Sequence, residues 1–199
     1  DIICNYAKKN DIEYFRGSDE DVLDRYYQCA KESGIEKIVR ITGDCPLIDP
    51  EIVTKVIEEF ENEEYDYIQN LEPRTFPDGM DVEIFSLKIL KEAWENAKLP
   101  SEREHVTAYF RNNEDRFQIK NFTNIKDLSH YRLTLDYKED LELVRVIIKK
   151  IKKRPILMND VLEVFLEIPK LFNVNNKYEA NEGYKLSLEK DKEFLEKKK

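Results

Sequence analysis

Two short apolar runs each end on a carboxylate. Lys37-Ile-Val-Arg-Ile-Thr42 leads into Gly43-Asp44-Cys45-Pro46, and Tyr131-Arg-Leu-Thr-Leu135 leads into Asp136. Runs this short and this rich in β-branched residues predict strands. In open α/β sheets ligands sit beyond the carboxyl ends of the strands, so both carboxylates stand where chemistry is expected. If the strands are neighbours, Asp44 and Asp136 converge. Two convergent carboxylates with free water sites suit Mg²⁺, which takes a few carboxylates together with phosphate oxygens. A plainer reading stands beside this one: Asp136 caps the helix that follows, and Asp44 shapes a turn. Asp19-Glu20-Asp21 is a second acidic run, similar to the Asp-x-Asp of a Mg-dependent glycosyltransferase. It reads better as the first turn of a helix, where negative charge meets the positive end of the dipole. Cys45 adjoins Asp44, but nothing pairs with it as a base, which argues against a nucleophile.

The elements that must position these residues alternate between strand and helix. Residues 2–9 read as the end of a helix and Glu13–Arg16 as a short strand. Ser18 opens the next helix, with Asp21 three residues on as a capping box. Asp49-Pro50-Glu51 is a helix start, with Asp at the N-cap and Pro in the first turn. Tyr65–Asn70 reads as a strand, and residues 71–79 as a loop punctuated by Pro73, Pro77 and Asp78-Gly79. Met80–Phe85 alternates like a half-buried strand. Helices are predicted over 87–98, 101–112, 140–151 and 159–172, and a further strand over 117–122. Repeated βα units imply an α/β domain with a mainly parallel sheet, interrupted by an antiparallel excursion after Pro73. Residues 1–188 are expected to form the domain and 189–199 a charged tail.

The 199 residues suit one domain able to bury a core without metal or disulfide staples. A net charge of -9 argues against extended nucleic acid as a partner, because phosphate neutralisation needs a basic face. Three cysteines, Cys4, Cys29 and Cys45, have neither disulfide nor zinc spacing, so a reducing, cytoplasmic setting is expected. No apolar run approaches the length of a membrane span.

Five longer runs carry a resemblance: residues 15–25 (Phe-Arg-Gly-Ser-Asp-Glu-Asp-Val-Leu-Asp-Arg), 39–50, 75–85 (Thr-Phe-Pro-Asp-Gly-Met-Asp-Val-Glu-Ile-Phe), 101–107 (Ser-Glu-Arg-Glu-His-Val-Thr) and 134–144. Together, and with Asn181-Glu-Gly-Tyr184 near the end, they resemble the spore-coat polysaccharide type of cytidylyltransferase, a family similar to the CMP-sugar synthetases for acidic sugars. The resemblance implies a Rossmann-like, GT-A-like three-layer nucleotidyltransferase fold. It implies transfer of CMP from CTP to a sugar, with release of pyrophosphate and with Mg²⁺ as cofactor. Asp44 and Asp136 match the family's two metal-binding, catalytic aspartates. Gly17, Ser18 and Arg25 fall where the family approaches the nucleotide, although Ser18 also suits a helix cap and Arg25 a surface ion pair. Arg74, Asp78, Asp81 and Glu83, with Glu104 and His105, are candidates for the sugar side. Asp78-Gly79 also suits a plain turn, and a lone helical His is more often structural. The family opens with a strand and a Gly-rich loop that holds the triphosphate, and no such segment occurs in these residues. The chain is therefore expected to be N-terminally incomplete and inactive alone, with apolar sheet edges that favour aggregation or an unusual partner; a homodimer is a further expectation. A non-catalytic nucleotide- or sugar-binding remnant and a Mg-dependent glycosyltransferase remain the competing readings.

Overall fold

The structure is a computed structural model and describes residues 1–178 and 182–197. Asn181 of the Asn-Glu-Gly-Tyr run lies outside the described residues. In chain order the elements are α1 (Ile2–Lys9), α2 (Val22–Glu32), β1 (Lys37–Arg40), α3 (Pro50–Asn62), β2 (Tyr67–Gln69), β3 (Glu83–Ser86), α4 (Leu87–Asn96), α5 (Pro100–Glu104), α6 (Ala108–Asn112), β4 (Ile119–Asn121), α7 (Lys138–Lys150), α8 (Met158–Glu167) and α9 (Glu182–Glu196). Residues 13–16, expected as a strand, form none. The chain divides into two compact units: residues 37–86 with 113–183, and residues 1–36 with 87–112 and 184–199.

The first of these units holds the sheet, with strand order β1-β3-β2-β4. β3 pairs antiparallel with both β1 and β2, and only β2 with β4 is parallel. The expectation of a mainly parallel sheet is thus wrong: the sheet is mixed and most of its strand pairs are antiparallel. The reason lies in one connection. β1, β2 and β4 do run the same way, as βα alternation requires, but no helix separates β2 from β3, so the chain turns back instead of crossing over. β3 then inserts between β1 and β2 and converts both neighbouring ladders.

The core of this unit is one continuous cluster in which Ile52, Val56 and Phe60 of α3, Ile68 and Ile84 of the sheet, and Leu143 and Ile147 of α7 are buried together. Each such side chain contributes roughly 1.5–3 kcal/mol of burial free energy. Asp49 ties two helices to it. Its carboxylate accepts the Glu51 N–H (2.7 Å) at the start of α3 and the Met158 N–H (2.8 Å) at the start of α8. The Asp-Pro signature predicted the first bond; the second joins residues far apart in sequence.

In the other unit Tyr27 of α2 stacks on Trp94 of α4 (centroids 4.4 Å apart), and the indole N–H donates to Asp24 (2.7 Å). Residues 101–112, expected as one helix, are broken between α5 and α6 at Val106, whose φ is +56°. That conformation is strained for a β-branched residue. The expected tail runs on within α9 as far as Glu196. Asp191 of that helix is buried and accepts both the N–H (2.9 Å) and the hydroxyl (2.5 Å) of Ser101, capping α5 from another helix.

Candidate active site

Asp44 follows β1 in a turn closed by the Cys45 N–H on the Thr42 carbonyl (3.2 Å). The segment 131–135, expected as a strand, forms only an isolated parallel bridge from Arg132 to Asp78. It nonetheless does a strand's work. Leu133 N–H donates to the Asp78 carbonyl (2.6 Å), and Leu135 N–H donates to the Asp44 carbonyl (2.8 Å). The second bond sets the backbone of Asp44 beside that of Leu135, immediately before Asp136.

The side chains around this junction form a chain of alternating charge. Arg74 pairs with Asp81 (3.2 Å for one of two contacts) and with Asp78 (3.3 Å). Asp78 pairs in turn with Arg132 (3.2 Å), and Arg132 with Asp136 (2.6 Å) and Asp140 (3.1 Å). Asp140 has no exposed surface and anchors the group. It accepts from Arg132 twice, from the Asn175 amide (2.7 Å), and from the N–H groups of Asp136 (3.0 Å) and Tyr137 (2.9 Å). Asp140, not Asp136, therefore satisfies the open amides at the start of α7. The Asp136 side chain is instead 45% exposed and engaged through one oxygen by Arg132. Asp44 is half-buried, and the Cys45 thiol donates to its carboxylate (3.7 Å).

Burial pushes the Cys45 thiol up to about 12, and the charges of Asp81 and Asp44 add to the shift; the Thr42 hydroxyl only partly offsets it. A thiol so protonated is no nucleophile at neutral pH. Burial likewise raises Asp78, with help from Asp81 and Asp136, to about 6 against the pull of Arg74 and Arg132. Burial also acts upward on Asp140, but the bonds from Arg132, Asn175 and two backbone amides outweigh it and hold that carboxyl below its usual range. The two residues therefore act oppositely on stability. Between the ordinary value of 3.8 and about 6 the folded chain holds the Asp78 proton more tightly than the unfolded chain does, so this contribution falls as pH rises through that window. The contribution of Asp140 is present above 3.8 and is lost as pH falls below it. A carboxyl-carbon NMR titration is expected to show Asp78 protonating near pH 6, and Asp78→Asn to remove the pH dependence of stability in that window. A midpoint for Asp78 in the ordinary range, near 3.8, would contradict the assignment.

Other residues singled out from the sequence are engaged as follows. Glu83 lies buried within β3, bonded to the Tyr67 hydroxyl and paired with Arg40. In the other unit, Arg25 donates to the Ser18 carbonyl (2.8 Å), and its stem packs where a Cβ on Gly17 would stand, 2.9 Å from the Arg25 Cγ. Gly17, Ser18 and Arg25 are thus brought together. Asp21 caps α2 through the Asp24 N–H (2.9 Å) and takes the Arg103 guanidinium on both oxygens, which leaves the Asp19-Glu20-Asp21 run committed to structure at Asp21. His105 bonds Ser187 (2.9 Å), whose hydroxyl reaches Glu104 (2.8 Å), and Lys190 reaches Glu104 as well (3.1 Å).

Sequence reasoning missed Arg132, Asp140, Asn175 and Asn70. Asn70, just past β2, uses its buried amide to bond the Met80 carbonyl (2.7 Å) and the Val82 N–H (2.8 Å), holding the loop that carries Arg74, Asp78 and Asp81. Alternation of Arg132 and Asp136 along an extended segment was a signal for the first of these. Asp140, four residues past Asp136 in the first turn of a helix, was a capping signal.

The profile of the cytidylyltransferase family matches residues 3–182. The chain belongs to that family. Among curated relatives, an uncharacterized protein of Methanocaldococcus jannaschii is 32% identical over 87% of this chain and 70% of its own length. The spore coat polysaccharide biosynthesis protein SpsF of Bacillus subtilis is 32% identical over 78% of this chain, which spans 65% of SpsF. A cytidylyltransferase from Leptospira borgpetersenii serovar Hardjo-bovis matches in structure with a TM-score of 0.83 and 37% identity, over 86% of this chain and 73% of that one. The fold is accordingly the α/β nucleotidyltransferase fold with a mixed sheet. No helix among the described residues is long and apolar enough to cross a membrane.

The family's expected Mg²⁺ can be tested against the donors present. Among the described residues no three His, Cys, Asp or Glu side chains are grouped to hold a metal. A cage made wholly of protein ligands is therefore not built here. Asp44 and Asp136 stand on adjoining backbone and the Asp136 side chain is more than a third exposed, donors of the type taken by an ion that draws its remaining ligands from phosphate oxygens and water.

Proposed function

We propose that the protein transfers CMP from CTP to a sugar hydroxyl in the supply of surface polysaccharide, with the reacting phosphate beside Asp44 and Asp136. The sugar hydroxyl oxygen bonds to the α-phosphorus and releases its proton to solvent, the bond from that phosphorus to the bridging oxygen breaks, and pyrophosphate leaves with the electron pair. The observation that carries this reading is the Leu135-to-Asp44 backbone bond (2.8 Å), which sets two carboxylate-bearing turns side by side in a chain of this family. Asp44 and Asp136 would hold Mg²⁺, whose charge offsets that developing on the phosphate. Arg132 orients the Asp136 carboxylate through one oxygen and leaves the other available. Asp140 and Asn175 fix Arg132 in turn.

The name of SpsF supports a role in polysaccharide synthesis, and the family resemblance supports an acidic sugar. An acidic sugar would find both guanidinium groups of this cluster, Arg74 and Arg132, already paired with carboxylates. The test is pyrophosphate release with CTP or UTP, Mg²⁺, and a panel of acidic, neutral and amino sugars. Assayed on the full-length protein, release that requires CTP and one sugar class is the expected result; no release with any sugar and either nucleotide would refute the proposal. Nucleotide binding without release would favour a binding module instead.

A further inference from the structure

Thr134 stands between Arg132 and Asp136 on the segment beside Asp44, and the transfer reaction leaves it without a role. Successive side chains of an extended segment point to opposite faces, so residues 132, 134 and 136 share one. The Arg132–Asp136 ion pair (2.6 Å) spans Thr134 and fits that placement, while Leu133 lies in the core. Thr134 is 4% exposed, and its hydroxyl has no hydrogen-bond partner among the described residues. A buried hydroxyl without a partner carries the full desolvation cost of the group, whereas valine would fill the same space without it. The Asp136 side chain next along this face is 45% exposed, so the face reaches solvent within two residues of Thr134.

We propose that the Thr134 hydroxyl is a ligand contact of this site, donating its hydrogen bond to a phosphoryl oxygen of the bound nucleotide. The inference rests on the cytidylyl-transfer reading and extends it to a residue outside the carboxylate pair. The surroundings favour phosphate over the base or ribose. The flanking groups are a guanidinium and a carboxylate suited to a phosphate-bound cation. Arg132 is already shared among Asp78, Asp136 and Asp140, so much of its charge is spent and a neutral donor beside it gains value. Hydroxyl donors of this kind serve phosphate and its metal in other nucleotide sites.

Thr134→Val and Thr134→Ser test this by calorimetric binding of Mg·CTP and of cytidine, together with thermal unfolding. Thr134→Val is expected to unfold at the same temperature as the parent or higher, because it removes a hydroxyl that the fold leaves unpartnered. It is expected to bind Mg·CTP about tenfold more weakly, as loss of a hydrogen bond to a charged group implies. Cytidine binding should not change, and Thr134→Ser should restore Mg·CTP binding. A clear loss of stability in Thr134→Val would mean that the hydroxyl serves the fold, and would overturn the inference. Unchanged Mg·CTP binding would overturn it too, as would an equal loss with cytidine. Asp44→Asn separates the two levels. If it weakens Mg·CTP binding while Thr134→Val does not, only the role of Thr134 fails. If the parent binds no Mg·CTP, the cytidylyl reading fails and this inference with it.

Discussion

Asp44→Asn is expected to lower maximal turnover in CTP-dependent transfer by about 10²–10³-fold, the usual consequence of removing one preorganised charge partner of the transition state. Asparagine keeps the size and one acceptor oxygen but loses the negative charge that a divalent cation requires. The fold should not register the change. The Asp44 carboxylate holds no backbone amide among the described residues, and its contact is the Cys45 thiol at 3.7 Å. The turn is closed by main-chain groups, and asparagine is as good a turn residue as aspartate. The loss should fall on kcat far more than on the apparent affinity for sugar, because the charge it offsets develops only as the α-phosphate reacts. Rates measured against Mg²⁺ concentration decide the matter. A folded Asp44→Asn protein with the parent's maximal rate and the parent's metal dependence would show that Asp44 only shapes its turn.

Several of the elements that position these residues were legible from residue order, and the missing part has a common cause. Strand-then-carboxylate spacing singles out Asp44 and Asp136 because strand ends are local in sequence. Asp-Pro at residues 49–50 announces α3 for the same reason. Helix positions follow from apolar periodicity, with α7 and α8 found within one or two residues of their predicted starts. What stayed hidden depends on long-range pairing. The antiparallel excursion after Pro73 was legible, but not the insertion of β3 between β1 and β2, which converts both ladders, because alternation of apolar residues does not name a strand's neighbours. Glu83, a candidate for the sugar side, lies inside the sheet against Tyr67 and Arg40, partners remote in the chain. Asn175 reaches Asp140 and the Arg132 carbonyl from a 35- to 43-residue distance along the sequence, and no local pattern announces that. The break at Val106 was missed because a valine with positive φ contradicts its own propensity; the residue is fully buried there.

Gly79→Ala is expected to destabilise the protein by roughly 2–4 kcal/mol, combining backbone strain with forced overpacking. Gly79 has φ of +98°, and a Cβ there would stand 2.7 Å from the Leu133 carbonyl carbon and 2.8 Å from the Thr134 nitrogen. Both are backbone atoms, so no flexible side chain can swing aside. Two other glycines separate these causes. Gly34 has φ of +64°, and a Cβ added there would meet nothing within 4 Å, so Gly34→Ala should show strain alone, about 1 kcal/mol. Gly43, beside Asp44, has neither the positive φ nor a neighbour within 4 Å, so Gly43→Ala should be close to neutral. Denaturant unfolding of the three variants is expected to rank them Gly79, Gly34, Gly43 in order of loss. The loss at Gly79 should also reach the site. The segment it would push is the one aligned with Asp78 by two bonds, the Asp78 N–H on the Tyr131 carbonyl and the Leu133 N–H on the Asp78 carbonyl, which set Arg132 against its carboxylates. Gly79→Ala should therefore weaken nucleotide binding even at temperatures where the variant is fully folded, whereas Gly34→Ala should not. A Gly79→Ala protein as stable as the parent would mean that the contact between residues 79 and 133–134 is looser than its geometry states, and that the segment bearing Thr134 and Asp136 is not held against Asp78.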